Sequence, residues 1–222
     1  MKLALFDLDH TLLPIDSDHT WGEFTTELGW NDLANFRQRN DEFYAHYQAG
    51  TLDIHDYVRF ATCAARERGA TAAAHAHARY MEEVIRPRIT PEALALVRSH
   101  QHAGDTVMIV TATNEFVTRP IAQAFGVNEL IAVELERDAS GWITGEIKGT
   151  PSFREGKVIR VEHWLAAKGL SWADVHMSFY SDSMNDLPLL EKAQYPVATN
   201  PDKRLRQLAT ERGWRILDLF QE

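Results

Sequence analysis

Apolar residues change rhythm twice along this chain. Leu3-Ala4-Leu5-Phe6 is a short unbroken apolar run that stops at Asp7, which predicts a strand covered on both faces. From about Ser17 to Arg88 the spacing turns helical: Trp21, Phe24 and Leu28, then Phe36, Phe43 and Tyr47, then Tyr57, Phe60, Ala61 and Ala64, then Tyr80, Met81 and Val84. Gly29, Gly50 and Gly69 punctuate this stretch as helix stops. The pattern predicts a four-helix insertion of roughly 70 residues.

From Thr90 onward, helices and strands alternate. Thr90-Pro91 opens a helix that runs toward His102, with threonine as cap and proline at the first turn. Thr106–Thr111 reads as a buried parallel strand, followed by a helix over Phe116–Phe125 and a strand over Leu130–Leu135. The segment Asp138–Gly149 alternates around Gly141 and predicts a β-hairpin. A helix over Glu155–Lys168, a strand over Val175–Ser181 and a short helix over Asn185–Lys192 come next. A strand over Tyr195–Ala198, a helix opened by Asn200-Pro201 and a last strand near Trp214–Ile216 close the chain. Strands alternating with helices predict an α/β fold, a doubly wound parallel Rossmann-like sheet. Its core would comprise residues 1–16 and 89–222, and the helical-bundle cap, residues 17–88, would sit over the carboxyl edge.

Composition narrows the partners. Of 222 residues 45% are hydrophobic, enough for a full core. Lys and Arg number 23 against 32 Asp and Glu, a net charge of −9, which argues against nucleic acid or an anionic membrane as the main partner. A small phosphorylated substrate remains compatible, because a bound metal reverses the local field. The single cysteine, Cys63, forms no internal disulfide, and with no signal-peptide pattern or membrane-length apolar run the expectation is a cytoplasmic protein.

The chemistry concentrates where strands end. Asp7 and Asp9 follow the first strand two apart, so in a continued strand they would share a face, and a hard divalent cation is the usual answer to their repulsion. On the same logic His10 would point away from them. The next strand ends in Thr111-Ala112-Thr113-Asn114, a hydroxyl and free backbone N–H groups suited to phosphate oxygens, or an ordinary helix cap. Lys157 opens a helix against its dipole, which suggests a local anion; otherwise it is a surface lysine. Ser181-Asp182-Ser183-Met184-Asn185-Asp186 adds two acids after another buried strand.

This order resembles the haloacid dehalogenase superfamily of phosphohydrolases: Asp7-x-Asp9-x-Thr11, then Thr111 at a strand end, Lys157 at a helix start, then Asp182-x-x-x-Asp186. The cap inserted after the first motif and Gly156-Lys157 are similar to its phosphoserine-phosphatase-like branch. The resemblance implies that Asp7 is the nucleophile and Asp9 the general acid and base. It implies Mg²⁺ held by the carboxylates of Asp7 and Asp182 and the backbone carbonyl of Asp9, with Asp186 supporting that shell. Thr111, Ala112, Lys157 and Asn185 would bind phosphate. Serines stand at 181 and 183, and Thr-Ala-Thr at 111–113, where family members often carry glycine-rich loops.

For the substrate, Asp16 occupies the position of an acid that contacts an amino group in phosphoserine phosphatases, Asp18 lies nearby, and Arg59 falls near a cap arginine that binds carboxylate there. The context of Tyr180-Ser181-Asp182-Ser183 and Phe153-Arg154-Glu155-Gly156-Lys157 looks more like the histidinol-phosphate phosphatases of the same branch. Trp21 and Tyr44 are then either stacking partners for a ring or core residues. The leading expectation is a small amine-bearing phosphometabolite, L-histidinol phosphate first. Alternatives are phosphoserine hydrolysis, a broad phosphatase, a phosphomutase, and a non-hydrolytic phospho-acceptor receiver, whose paired acids would be adjacent rather than spaced by one.

Overall fold

Strand β1 (Lys2–Phe6) sits at the centre of a six-stranded sheet in the computed structural model, which describes residues 1–220. The neighbours are β2 (Thr106–Asn114), β3 (Glu129–Val133), β6 (His176–Ser181), β7 (Tyr195–Thr199) and β8 (Arg215–Leu217), in the order β3-β2-β1-β6-β7-β8. All pairings in this sheet are parallel, with Leu5 beside Met108 and Phe179. The chain leaves β1 in one direction, then returns to lay β6 on its other side. That makes the β1–β6 boundary the switch point, where the crevice beyond the strand ends binds ligands in open α/β sheets.

Strand alternation decides which side chains meet which helices. Ala4, Phe6, Val107 and Ile109 face one core with α4 (Pro91–His102) and α5 (Glu115–Ala124). Leu3, Leu5, Met108 and Val110 face the other, against α6 (Glu155–Ala167), α7 (Leu187–Leu190) and α8 (Lys203–Arg212).

Between β1 and α4 lie α1 (Ser17–Glu27), α2 (Leu33–Ala49) and α3 (Ile54–Tyr80), then a short π turn and a 3-10 turn that ends at Arg88. Gly69 leaves helical geometry at φ 80°, ψ 166°, so α3 is two helical segments joined at a glycine, and the fourth expected helix is its second half. Trp21 belongs to the core: it is buried against Phe24, His77 and Tyr80.

Two of the boundaries that differ from expectation bear on the site. The strand expected over Leu130–Leu135 ends at Val133, and Leu135 instead starts a hairpin, β4 (Leu135–Arg137) with β5 (Ile143–Ile147), pairing with Ile147. This hairpin carries the start of α3: Ile54 and Val58 pack on Val133, Leu135, Ile143 and Ile147. At α8 the cap is Asp202, whose carboxylate accepts from the Leu205 N–H. Asn200 is held at φ 47° with its side chain spent on His10 and on the amides of Leu219 and Phe220. Among the described residues no helix is long and apolar enough to cross a membrane.

Candidate active site

β1 delivers Asp7 directly past its last paired residue, and the Asp7 N–H still donates to the Tyr180 carbonyl of β6 at 2.9 Å. The next turn is folded back on Leu8, whose carbonyl accepts from the N–H groups of Thr11, Leu12 and Leu13. Asp9 is therefore presented by a tight turn rather than a continued strand. Its two carboxylate oxygens accept from the Ser17 N–H at 2.7 Å and the Thr113 hydroxyl at 2.8 Å.

Below Asp7 lies a buried ammonium. Lys157, 1% exposed, donates through Nζ to Asp7 Oδ1 at 3.0 Å and to Asp186 Oδ2 at 2.7 Å. Burial opposes the lysine's charge, but Asp186 and Asp7 outweigh it and hold Lys157 above the ordinary lysine range. Asp186 is fixed further by the Ser181 hydroxyl at 2.7 Å. Thr11 ties the first loop to the third, donating to Asp182 Oδ1 at 3.0 Å and accepting from the Asp182 N–H at 3.1 Å. Lys157 starts α6 because Gly156 lets the chain pass: a Cβ there would lie 1.9 Å from the Pro151 carbonyl oxygen.

Acids outnumber cations here. Burial, together with the charges of Asp186 and Asp9, pushes the Asp7 carboxyl up to about 8 despite Lys157. Asp9 is pushed up to about 7 by burial and by Asp16, and Asp182 stands well above the usual carboxylate range through burial, Asp7 and Asp186. Four carboxyls around a single ammonium leave a negative excess that a hard cation would relieve, and a donor set of carboxylate oxygens suits magnesium or calcium rather than zinc. Among the described residues no three His, Cys, Asp or Glu side chains converge as metal ligands, so a cation here would draw on the carboxylates of Asp7 and Asp182 plus backbone and solvent oxygens.

Asp7, Asp9, Asp16, Thr111, Ala112 and Asp182 line one pocket between the sheet edge and the cap. Its other wall is aromatic: Phe43, Tyr44 and Tyr47 from α2 and Tyr57 from α3. Among the described residues that line it there is no lysine or arginine. Asn185 lies in an adjoining cleft, donating to the Tyr47 carbonyl at 2.9 Å.

Two expectations about substrate residues are corrected. Arg59 lies on the outer face of α3, 48% exposed at its side chain, and forks onto Glu146 of β5 at 2.9 and 3.1 Å while also pairing with Asp56. The helical register places it away from the pocket that Tyr57 faces. Asp18 is buried behind the pocket wall, bonded to Asn114 Nδ2 at 3.2 and 3.4 Å beside the Tyr57 hydroxyl. It sits one residue pair along α1 from Asp16, which caps that helix and does line the pocket.

His10 was expected to point away from the acids. It lines the pocket instead, with Nε2 3.1 Å from the Tyr44 hydroxyl. The alternation argument fails because the strand stops at Phe6 and His10 adopts φ 56°. That conformation costs a non-glycine residue roughly 1–2 kcal/mol, and it is held by Asn200 Nδ2 donating to the His10 carbonyl at 2.9 Å. The aromatic wall was legible only as helical spacing, which does not distinguish core from pocket.

The model of the haloacid dehalogenase-like hydrolase family matches residues 4–191. The chain is 42% identical over 218 residues to a histidinol-phosphatase of Neisseria meningitidis serogroup C (strain 8013), covering 98% of each. A crystal structure of a protein of unknown function from Bordetella pertussis Tohama I superposes with a TM-score of 0.93 at 49% identity, over 99% of each chain. A substrate-bound phosphoserine phosphatase shares the fold at 18% identity, with a TM-score of 0.66 over 97% of this chain and 92% of that one.

Proposed function

We propose that this chain, which belongs to the haloacid dehalogenase-like hydrolase family, is a Mg²⁺-dependent phosphomonoesterase that works through an aspartyl phosphate on a small amine-bearing ester, L-histidinol phosphate first. One observation carries the reading: Asp7 lines a pocket that also holds Asp9, Thr111 and Asp182, and the buried Lys157 holds it from behind at 3.0 Å.

In this reading an Asp7 oxygen attacks phosphorus while the bond from phosphorus to the substrate oxygen breaks. Asp9, whose carboxyl is pushed up to about 7, gives its proton to the leaving oxygen. It then takes one from the water that attacks the acyl phosphate, and Asp7 leaves as a carboxylate with inorganic phosphate as product. Lys157, the Thr111 hydroxyl and the Ala112 amide hold the phosphoryl oxygens, and Lys157 shields Asp7 from its own anionic substrate. Asp186, bonded to the Ser181 hydroxyl, supports the loop that presents Asp182, while Asn185, expected on phosphate, donates to the Tyr47 carbonyl instead. Mg²⁺, held by Asp7, Asp182 and the Asp9 carbonyl, would supply the positive charge that both the acids and the transferring group require.

The pocket's chemistry supports an amine without a carboxylate. Asp16 offers a negative charge at its wall, whereas Arg59 is engaged with Glu146 on the outside, and among the described residues lining the pocket no lysine or arginine could face a carboxylate. Four aromatic side chains suit a flat ring. The Neisseria relative is a histidinol-phosphatase, which points the same way. The test is a phosphate-release screen of histidinol phosphate, phosphoserine and glycerol phosphate, with Mg²⁺ and with EDTA. Histidinol phosphate should give the highest kcat/KM, and only with Mg²⁺. Equal slow release from all three would reject the preference, and phosphate passed to a second hydroxyl without release would reject hydrolysis.

A further inference from the structure

We infer that the three loops carrying the reacting groups latch the cap helix α2 over the site through one side chain each, and that Arg154 is a positioning residue for phosphoryl transfer; this rests on the phosphatase reading above. His10 comes from the loop of Asp7 and Asp9 and meets the Tyr44 hydroxyl at 3.1 Å. Asn185 comes from the loop of Asp182 and Asp186 and donates to the Tyr47 carbonyl at 2.9 Å. Arg154 precedes Lys157 and donates through Nη2 to the Gly50 carbonyl at 2.5 Å. Tyr44 and Tyr47 lie three residues apart on the last turns of α2, and Gly50 is the left-handed residue that ends it.

The chemistry of that helix end explains why these contacts form there. The last carbonyls of a helix have no partner within it and carry the negative end of its dipole. The last turn of α2 offers only His46 as a basic residue of its own. The Tyr47 carbonyl, which already accepts from the Gly50 N–H, takes a second donor in the Asn185 amide, and the Arg154 guanidinium meets the Gly50 carbonyl just past the helix end. The N-terminal half of α2 is tied to α1 by Asn40 Nδ2 donating to the His19 carbonyl. That bond and the packing of Phe43 on Tyr57 and Phe60 keep the middle of α2 in the cap, while its C-terminal end meets the core.

Arg154 is built for this contact. Its backbone is held at φ 54°, ψ −122°, its guanidinium lies 5.4 Å above the Phe153 ring, and Phe153 in turn packs 6.0 Å from Tyr47. Gly50 accommodates it twice: its φ of 71° suits glycine, and a Cβ there would stand 2.5 Å from Arg154 Nη2. Because Arg154 caps α6 three residues before Lys157, seating α2 and aligning Lys157 on Asp7 become one event.

The experiment pairs amide exchange of the whole chain with steady-state hydrolysis of p-nitrophenyl phosphate in Mg²⁺. Arg154→Ala should speed exchange in residues 45–51 by about tenfold or more, with the sheet amides of Thr106–Val110 unchanged as a folding control. It should lower kcat about tenfold with KM moved far less. Arg154→Lys should restore most of both. Gly50→Ala should reproduce Arg154→Ala, and the double variant should be no worse than either. Lys203→Ala, an exposed neighbour in the same cleft, should change neither. Unchanged exchange in Arg154→Ala, or losses that multiply in the double variant, overturn the latch. Faster exchange with unchanged kcat overturns the positioning role. A wild-type chain that hydrolyses no phosphomonoester would sink the phosphatase reading, while the exchange measurement would still decide the latch.

Discussion

Asp18 should make this protein less stable as pH rises, and replacing it with asparagine should remove that dependence. The side chain is 3% exposed in α1. Burial and the charges of Asp16 and Asp9 push its carboxyl up from 3.8 to about 8, against the opposing hydrogen bonds from Tyr57 and Asn114. Between those values the unfolded chain has lost the proton that the native chain still holds. The native state therefore binds more protons, and stability falls with rising pH. The fall begins above the unfolded value near 4 and is complete once the pH passes the native value near 8. A full proton's difference is worth about 1.4 kcal/mol per pH unit. For a chain of this size 1 kcal/mol corresponds to about 2–4 °C in Tm.

Asp18→Asn keeps the shape and the acceptor facing Asn114, and it cannot ionise. Its altered contact with the Tyr57 hydroxyl adds an offset of about 1 kcal/mol, which does not depend on pH. The slope is therefore the test rather than the offset. In thermal melts followed by circular dichroism at fixed ionic strength, the variant's Tm minus that of wild type should rise by about 3–6 °C per unit between pH 5 and 8. A difference that stays flat over that range, or one that falls, would refute the reasoning.

Asp7→Asn should lower phosphate release at least about a thousandfold while its melting temperature holds or rises, since a buried acid pushed up to about 8 is removed; appreciable turnover would reject Asp7 as nucleophile. Arg59→Ala should leave kcat/KM for histidinol phosphate within about twofold, because its fork onto Glu146 lies outside the pocket. Asp16→Asn should raise KM for that ester about tenfold, the worth of one charge-assisted hydrogen bond, and spare glycerol phosphate; equal losses on both esters would reject an amine contact. Gly156→Ala must move backbone, because its Cβ would meet the Pro151 oxygen at 1.9 Å. It should lower Tm and cut kcat by about a hundredfold or more as Lys157 shifts; an unaltered melt and turnover would show that the turn relaxes freely.

Much of the fold could be read locally. Leu3 and Leu5 against Ala4 and Phe6 already separate the two faces of β1, and Gly50 and Gly69 mark a helix end and a helix break where they occur. The acids and the lysine of the site were also legible, because each stands at a strand end or helix start whose identity is a local property. Periodicity reaches as far as neighbouring residues shape one another, and these features lie within that reach.

Tertiary structure decided the rest. Whether Arg59 meets the pocket or Glu146 depends on how α3 is rolled on a hairpin nearly ninety positions later. His10 turns inward because Asn200, far along the chain, holds its carbonyl. Asp16 and Asp18 look equivalent in the sequence, yet one lines the pocket and the other is buried against Asn114. Local chain chemistry sets which elements form and which residue types stand at their ends. Only the packed structure decided which of those side chains share a space, because burial, charge and contact belong to residues brought together from distant parts of the chain.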